Sequence, residues 1–61
     1  MNPLFDAFRE HMFARRRALR DAIAEGAPSD YAKYKEMVGQ LLEIERALSE
    51  LKDLEVLYAE Q

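Results

Sequence analysis

This 61-residue chain has many carboxylates that could carry acid–base chemistry, but their spacing puts them on exposed helical faces among basic residues. The only histidine, His11, adjoins Glu10, and neighbouring residues on a helix point in different directions. Ser29 and Ser49 have no histidine at a spacing that could activate them. Catalysis also needs a concave pocket, which a small helical unit does not offer. The sequence therefore predicts no catalytic residue and no enzyme activity.

Metal and cofactor sites are not predicted either. The chain has no cysteine and one histidine, too few for a zinc site, and it has no glycine-rich phosphate loop. Without cysteine there are no disulfides to stabilise a domain this short, which buries only about 60% of its unfolded surface. A partner chain is the remaining source of stability.

The charge pattern offers one candidate nucleic-acid surface, a possible basic stripe of Arg9, Arg16 and Arg20. The net charge is −3, which argues against nucleic acid or an anionic membrane as the main partner. Residues 15–17 are three consecutive arginines, and on a helix these point to different sides. A solvated face with salt bridges is therefore favoured over nucleic-acid contact, which stays the alternative.

Glycine and proline divide the chain into two helices and a turn. Asn2 followed by Pro3 is typical of a helix start, and Gly26 followed by Pro28 is typical of a helix end. Ser29 is the expected cap of the second helix, with an acidic residue in its first turn. We expect helix one over about 3–25, a turn over 26–29, and helix two over about 29–59.

Apolar spacing along helix two predicts a seam with heptad character and a second apolar edge. The seam residues are Tyr34, Met37, Leu41, Ile44, Leu48 and Leu51. The second edge comprises Tyr31, Val38 and Leu42. A helix with two apolar edges has more than one neighbour to cover.

The predicted fold is all-α, a two-helix antiparallel hairpin, because the turn is short. With residue 25 beside residue 30, Phe5 would lie near Glu50 and the end of helix two would extend past helix one. Val56, Leu57 and Tyr58 would then have no partner within the chain. We therefore expect the hairpin to associate into a helical bundle or coiled-coil oligomer.

The candidate interface consists of apolar residues that the hairpin leaves outside its seam, with one glycine. Phe13 lies among arginines, either covered by their methylene groups or contacting a second chain. Gly39 lies mid-helix, either tolerated there or allowing another backbone to approach. The full set is Phe13, Tyr31, Val38, Gly39, Leu42, Leu54, Val56, Leu57 and Tyr58.

One stretch resembles a known group of proteins. It reads Asp30-Tyr31-Ala32-Lys33-Tyr34, then Val38-Gly39, Leu41-Leu42, Ala47-Leu48 and Leu51-Lys52-Asp53-Leu54. Over residues 29–54 it resembles small helical-hairpin proteins of tailed bacteriophages, encoded among genes for virion assembly. The resemblance implies a phage accessory or virion-associated structural protein that acts by binding.

The expected function is therefore non-enzymatic protein–protein interaction, through self-association or docking on a larger assembly. The alternatives are a small dimeric nucleic-acid-binding regulator and an inhibitor of a host protein. The start Met1-Asn2-Pro3-Leu4-Phe5-Asp6 does not resemble a signal peptide, and no stretch is apolar enough for a membrane span. We expect a cytoplasmic location in a host cell, or incorporation into a virion, and no secretion.

Overall fold

The computed structural model describes residues 2–60 and contains two α-helices and no strand in that range. Helix α1 is Pro3–Ala24, with 22 residues, and helix α2 is Tyr31–Ala59, with 29 residues. The prediction of an all-α chain with two helices is confirmed. The helices are antiparallel, since ion pairs join Arg9 to Glu55 and Arg20 to Glu45.

Local sequence signals set both ends of α1. The Asn2 side chain accepts a hydrogen bond from the Leu4 N–H at 2.9 Å, so Asn2 caps the helix as expected. At the other end, Gly26 has a φ of 79°, in the left-handed region that favours glycine. Its N–H donates to the Ile23 carbonyl, and the Ala27 N–H donates to the Ala22 carbonyl at 2.9 Å. This is a Schellman motif, which satisfies carbonyls left free at the end of a helix.

The start of α2 differs from the sequence prediction. Asp30, and not Ser29, is the cap: its side chain accepts a hydrogen bond from the Lys33 N–H at 2.8 Å. Asp30 therefore stands before the first turn of α2 instead of within it. The connection between the helices runs from residue 25 to residue 30, because both helices are shorter at this point than predicted.

The register of the hairpin differs from the predicted one by about eight residues. Phe5 packs edge-on against Tyr58, with 5.6 Å between ring centroids, and Arg9 pairs with Glu55. The predicted overhang of residues 56–58 is therefore wrong, because the start of α1 reaches the end of α2. At 1.5 Å per residue, the end of α1 lies level with about residue 40 of α2. The part of α2 that extends past α1 is residues 31–38, next to the turn.

The buried core is small. Among the described residues only Met12, Ile44 and Leu51 are buried apolar side chains, with 6%, 2% and 5% of their surface exposed. The molecule is a rod 48 Å long and only 16 and 12 Å across. A two-helix rod has one helix–helix contact to bury side chains, so most of each helix faces solvent.

Exchanging the two candidate caps tests the start of α2. Asp30→Ala removes the acceptor for the Lys33 N–H and should lower the free energy of unfolding by about 1 kcal/mol. Ser29→Ala is the matched control and should change it by no more than a few tenths, because Ser29 is exposed and forms no cap. Thermal and urea unfolding followed by circular dichroism measure both. A larger loss for Ser29→Ala would contradict the assignment.

Candidate functional site

The most exposed apolar surface on α2 lies where the helix extends past α1. We call Tyr31, Tyr34, Val38 and Leu42 the turn-end edge. Tyr31 is 72% exposed and Leu42 56%, Tyr34 is also exposed, and Val38 is half-buried. Their spacing of three and four residues keeps them on one side of the helix. Tyr31 and Tyr34 lie beyond the end of α1, and both are exposed.

The tyrosines of the turn-end edge pack on each other within the chain. Tyr31 and Tyr34 are stacked, with ring centroids 6.4 Å apart and an angle of 27° between planes. The Lys35 ammonium lies 5.8 Å from the centre of the Tyr31 ring, within cation–π range. These contacts order the rings but leave their outer faces in solvent.

Gly39 lies beside the turn-end edge, between Val38 and Leu42. A Cβ atom built on Gly39 would have no neighbouring atom within 4 Å, and its φ is not in the left-handed region. Neither crowding nor backbone conformation within the chain therefore requires glycine here. Glycine inside a helix costs about 1 kcal/mol relative to alanine. The isolated hairpin is therefore less stable with glycine at position 39 than it would be with alanine.

The predicted contact at Phe13 lies on the same side of the hairpin as Leu42. Arg16 lies over the Phe13 ring, 4.8 Å from guanidinium carbon to ring centroid, and also pairs with Glu45. Glu45 is three residues from Leu42, on the same side of α2. Phe13 is 37% exposed, so the arginine covers one face of the ring and leaves part of it open.

The basic stripe is paired with carboxylates. Arg9 contacts both Asp6 and Glu55. Arg16 and Arg20 share Glu45, at 3.4 and 3.3 Å. Each such pair at a partly exposed site contributes only about 0–1 kcal/mol, but together they fix the register of the helices. Their charges face α2, which reduces what they offer to a nucleic-acid backbone.

The other side of the hairpin carries a second apolar group near the chain termini. Leu4 is 72% exposed, Phe8 42% and Leu54 52%. Phe8 borders a shallow groove with Met12, Arg15 and Ala47. Helix α2 therefore covers Leu4 and Phe8 only in part.

The remaining predicted interface residues lie close to the C-terminal end of α2. Val56 and Leu57 are each 56% exposed, and Tyr58 is 61% exposed. Tyr58 nevertheless contacts Phe5 within the chain, which sequence reasoning missed. The structure therefore divides the predicted set between the two sides of the rod instead of gathering it in one place.

Other kinds of site are not found in residues 2–60. No group of three histidine, cysteine or carboxylate side chains there could hold a metal ion. Neither helix has a stretch long and apolar enough to span a membrane in that part of the chain.

Comparison with known proteins adds no assignment. No protein-family model matches the chain, and neither the curated proteins nor the solved structures give a match. The resemblance to phage hairpin proteins stays a prediction.

A double-mutant cycle on Phe5 and Tyr58 tests the register on which this description of the surfaces depends. Edge-to-face aromatic pairs contribute about 0.5–1.5 kcal/mol beyond their burial, so the two alanine substitutions should couple by that amount. Phe5→Ala combined with Leu57→Ala is the control and should be additive. Urea unfolding at one fixed chain concentration gives the coupling. Additive effects for Phe5 and Tyr58 would contradict the register.

Proposed function

We propose that the chain is a non-enzymatic protein–protein interaction module that acts by self-association or by docking on a larger protein assembly. The observation that carries the proposal is the imbalance between its core and its surface. Three apolar side chains are buried in residues 2–60, whereas ten large apolar side chains are exposed there. So small a core leaves a monomer little stability, since burial of apolar surface is the main source of stability.

Six of the ten exposed residues fall in two groups. The turn-end edge forms one stripe on α2, and Leu4, Phe8 and Leu54 form a group on the other side of the rod. Contiguous apolar surface of this kind is typical of proteins that bind other proteins. An isolated exposed leucine would carry no such meaning.

The resemblance over residues 29–54 favours a phage accessory or virion-associated structural role for this module. That part of the proposal rests on sequence resemblance, and the hairpin shape is compatible with it. Detection of the chain by mass spectrometry in purified virions would support the virion role. A gene that lies apart from virion-assembly genes would argue against it.

The alternative regulator would need a basic surface, and the paired arginines do not supply one. Arg9, Arg16 and Arg20 each contact at least one carboxylate. A gel shift with duplex DNA and RNA across salt concentrations tests the alternative, because phosphate binding strengthens steeply at low salt. We expect no shift even at low salt, and a salt-sensitive shift would favour the regulator.

Mass in solution tests the proposed self-association. Light scattering or sedimentation at micromolar concentration should give a multiple of the 7.1 kDa chain mass. Ile44→Ser places a hydroxyl at a position that is 2% exposed and should cost about 3 kcal/mol or more, which unfolds the hairpin and separates the chains. A 7.1 kDa species with a cooperative thermal transition would contradict self-association.

A further inference from the structure

We propose that the part of α2 around Gly39 and Leu42, where the turn-end edge meets the end of α1, is covered by the same part of a second copy of this chain, with the two α2 helices antiparallel. This inference rests on the proposed self-association and names the surface that carries it.

The exposed area of the chain matches what a second copy would cover. The accessible surface is 4927 Å². A folded monomer of 7.1 kDa is expected to expose about 4,100 Å², so this chain exposes about 800 Å² more. A standard protein–protein interface buries about 800 Å² on each partner. If one interface of this size formed, the accessible surface left on each chain would equal that expected of a compact protein.

The surface beside the turn-end edge has the shape that a leucine from a facing helix fits. Lys35, Val38, Gly39 and Leu42 are spaced as the four corners of a hole in helix–helix packing. The position of the missing Cβ of Gly39 has no atom within 4 Å, so the hole is open and deepest at Gly39. Leu42 is itself 56% exposed and projects beside this hole.

Under two-fold symmetry, the protruding Leu42 side chain of each copy meets the hole of the other. In an antiparallel pair centred between Gly39 and Leu42, Leu42 of each copy enters the hole of the other, so each contact occurs twice. This explains why a helix-destabilising glycine lies on an open surface next to an exposed leucine. Within one chain that glycine has no packing role.

Charge favours the antiparallel arrangement over the parallel one. Lys35 and Glu43 lie four residues to either side of Gly39, and neither forms an ion pair within the described chain. In an antiparallel pair centred between Gly39 and Leu42, Lys35 of one copy lies level with Arg46 of the other and three residues from its Glu43, so attraction and repulsion are mixed. In a parallel pair in the same register, Lys35 would face Lys35 and Glu43 would face Glu43, which is repulsive.

Two leucines on the same helix provide the main test. Leu42 and Leu54 are similarly exposed, at 56% and 52%, so replacing either by serine should leave the hairpin folded, as circular dichroism will verify. Leu42→Ser should raise the dissociation constant measured by sedimentation about a hundredfold, because two buried leucines are lost in each dimer. Leu54→Ser should leave it within a few-fold of wild type.

The other outcomes overturn the inference. A loss of association in Leu54→Ser alone would place the interface on the opposite side of the rod. Equal effects, or none, would exclude the turn-end edge as the specific contact. A wild-type chain that is monomeric would refute the proposed self-association itself, so the two failures are distinguishable.

Gly39→Ala separates self-association from chain stability without risk of unfolding. Alanine favours the helix and meets no atom of its own chain, so an isolated hairpin should gain thermal stability. In the dimer the added methyl group occupies the hole that receives Leu42 of the other copy, and the dissociation constant should rise about tenfold. An unchanged or lower dissociation constant would overturn the contact at Gly39.

Discussion

Two helices in contact can each bury only one stripe of their surface, and the properties of this chain follow from that constraint. The stripe contains Met12 on α1 with Ile44 and Leu51 on α2, and no other apolar side chain in residues 2–60 is fully buried. The other apolar residues lie beside the stripe, where the facing helix covers them only in part, or past the end of α1. A chain of this length without cysteine has no covalent substitute for the missing core. Association supplies that core from outside.

The register of the hairpin decides which apolar residues stay uncovered, and it was the feature that the sequence analysis did not predict. Helix content, the cap at Asn2 and the left-handed turn at Gly26 depend on neighbours in sequence and were predicted correctly. Register depends on contacts between distant residues and on connection length. Placing residue 25 directly beside residue 30 put the register about eight residues from the observed one, so the predicted overhang fell at the wrong end of α2.

Charge pairing holds the signal that could have corrected the register. With residue 25 beside residue 30, Glu55 would lie beyond the start of α1 and Glu45 level with residue 10, far from Arg20. The observed register brings Arg9 to Glu55 and Arg20 to Glu45. Each pair is weak alone, but the wrong register loses both of them. Comparing such alternatives along two predicted helices is possible from sequence, whereas the exposure of Tyr31 and Leu42 follows only once the register is known.

The location of the candidate interface therefore follows from the unequal lengths of the two helices and from their register. Because α2 is seven residues longer than α1, one end of α2 must extend past α1, and the register places that end at the turn. The end that extends past α1 carries two tyrosines and a valine. The next turn of α2, which lies level with the end of α1, carries the exposed residues Gly39 and Leu42. Each copy presents both a hole and a leucine that fits it. Two copies can therefore cover each other, and no second kind of protein is needed.

The most direct test of this account is an isotope-filtered nuclear Overhauser measurement on a mixture of labelled and unlabelled chains, which detects only contacts between copies. The account predicts intermolecular contacts from the Leu42 methyl groups of one copy to the Gly39 Hα atoms of the other. It also predicts none from Leu54. Intermolecular contacts from Leu54 without any from Leu42, or none at concentrations where the chain is fully associated, would contradict it.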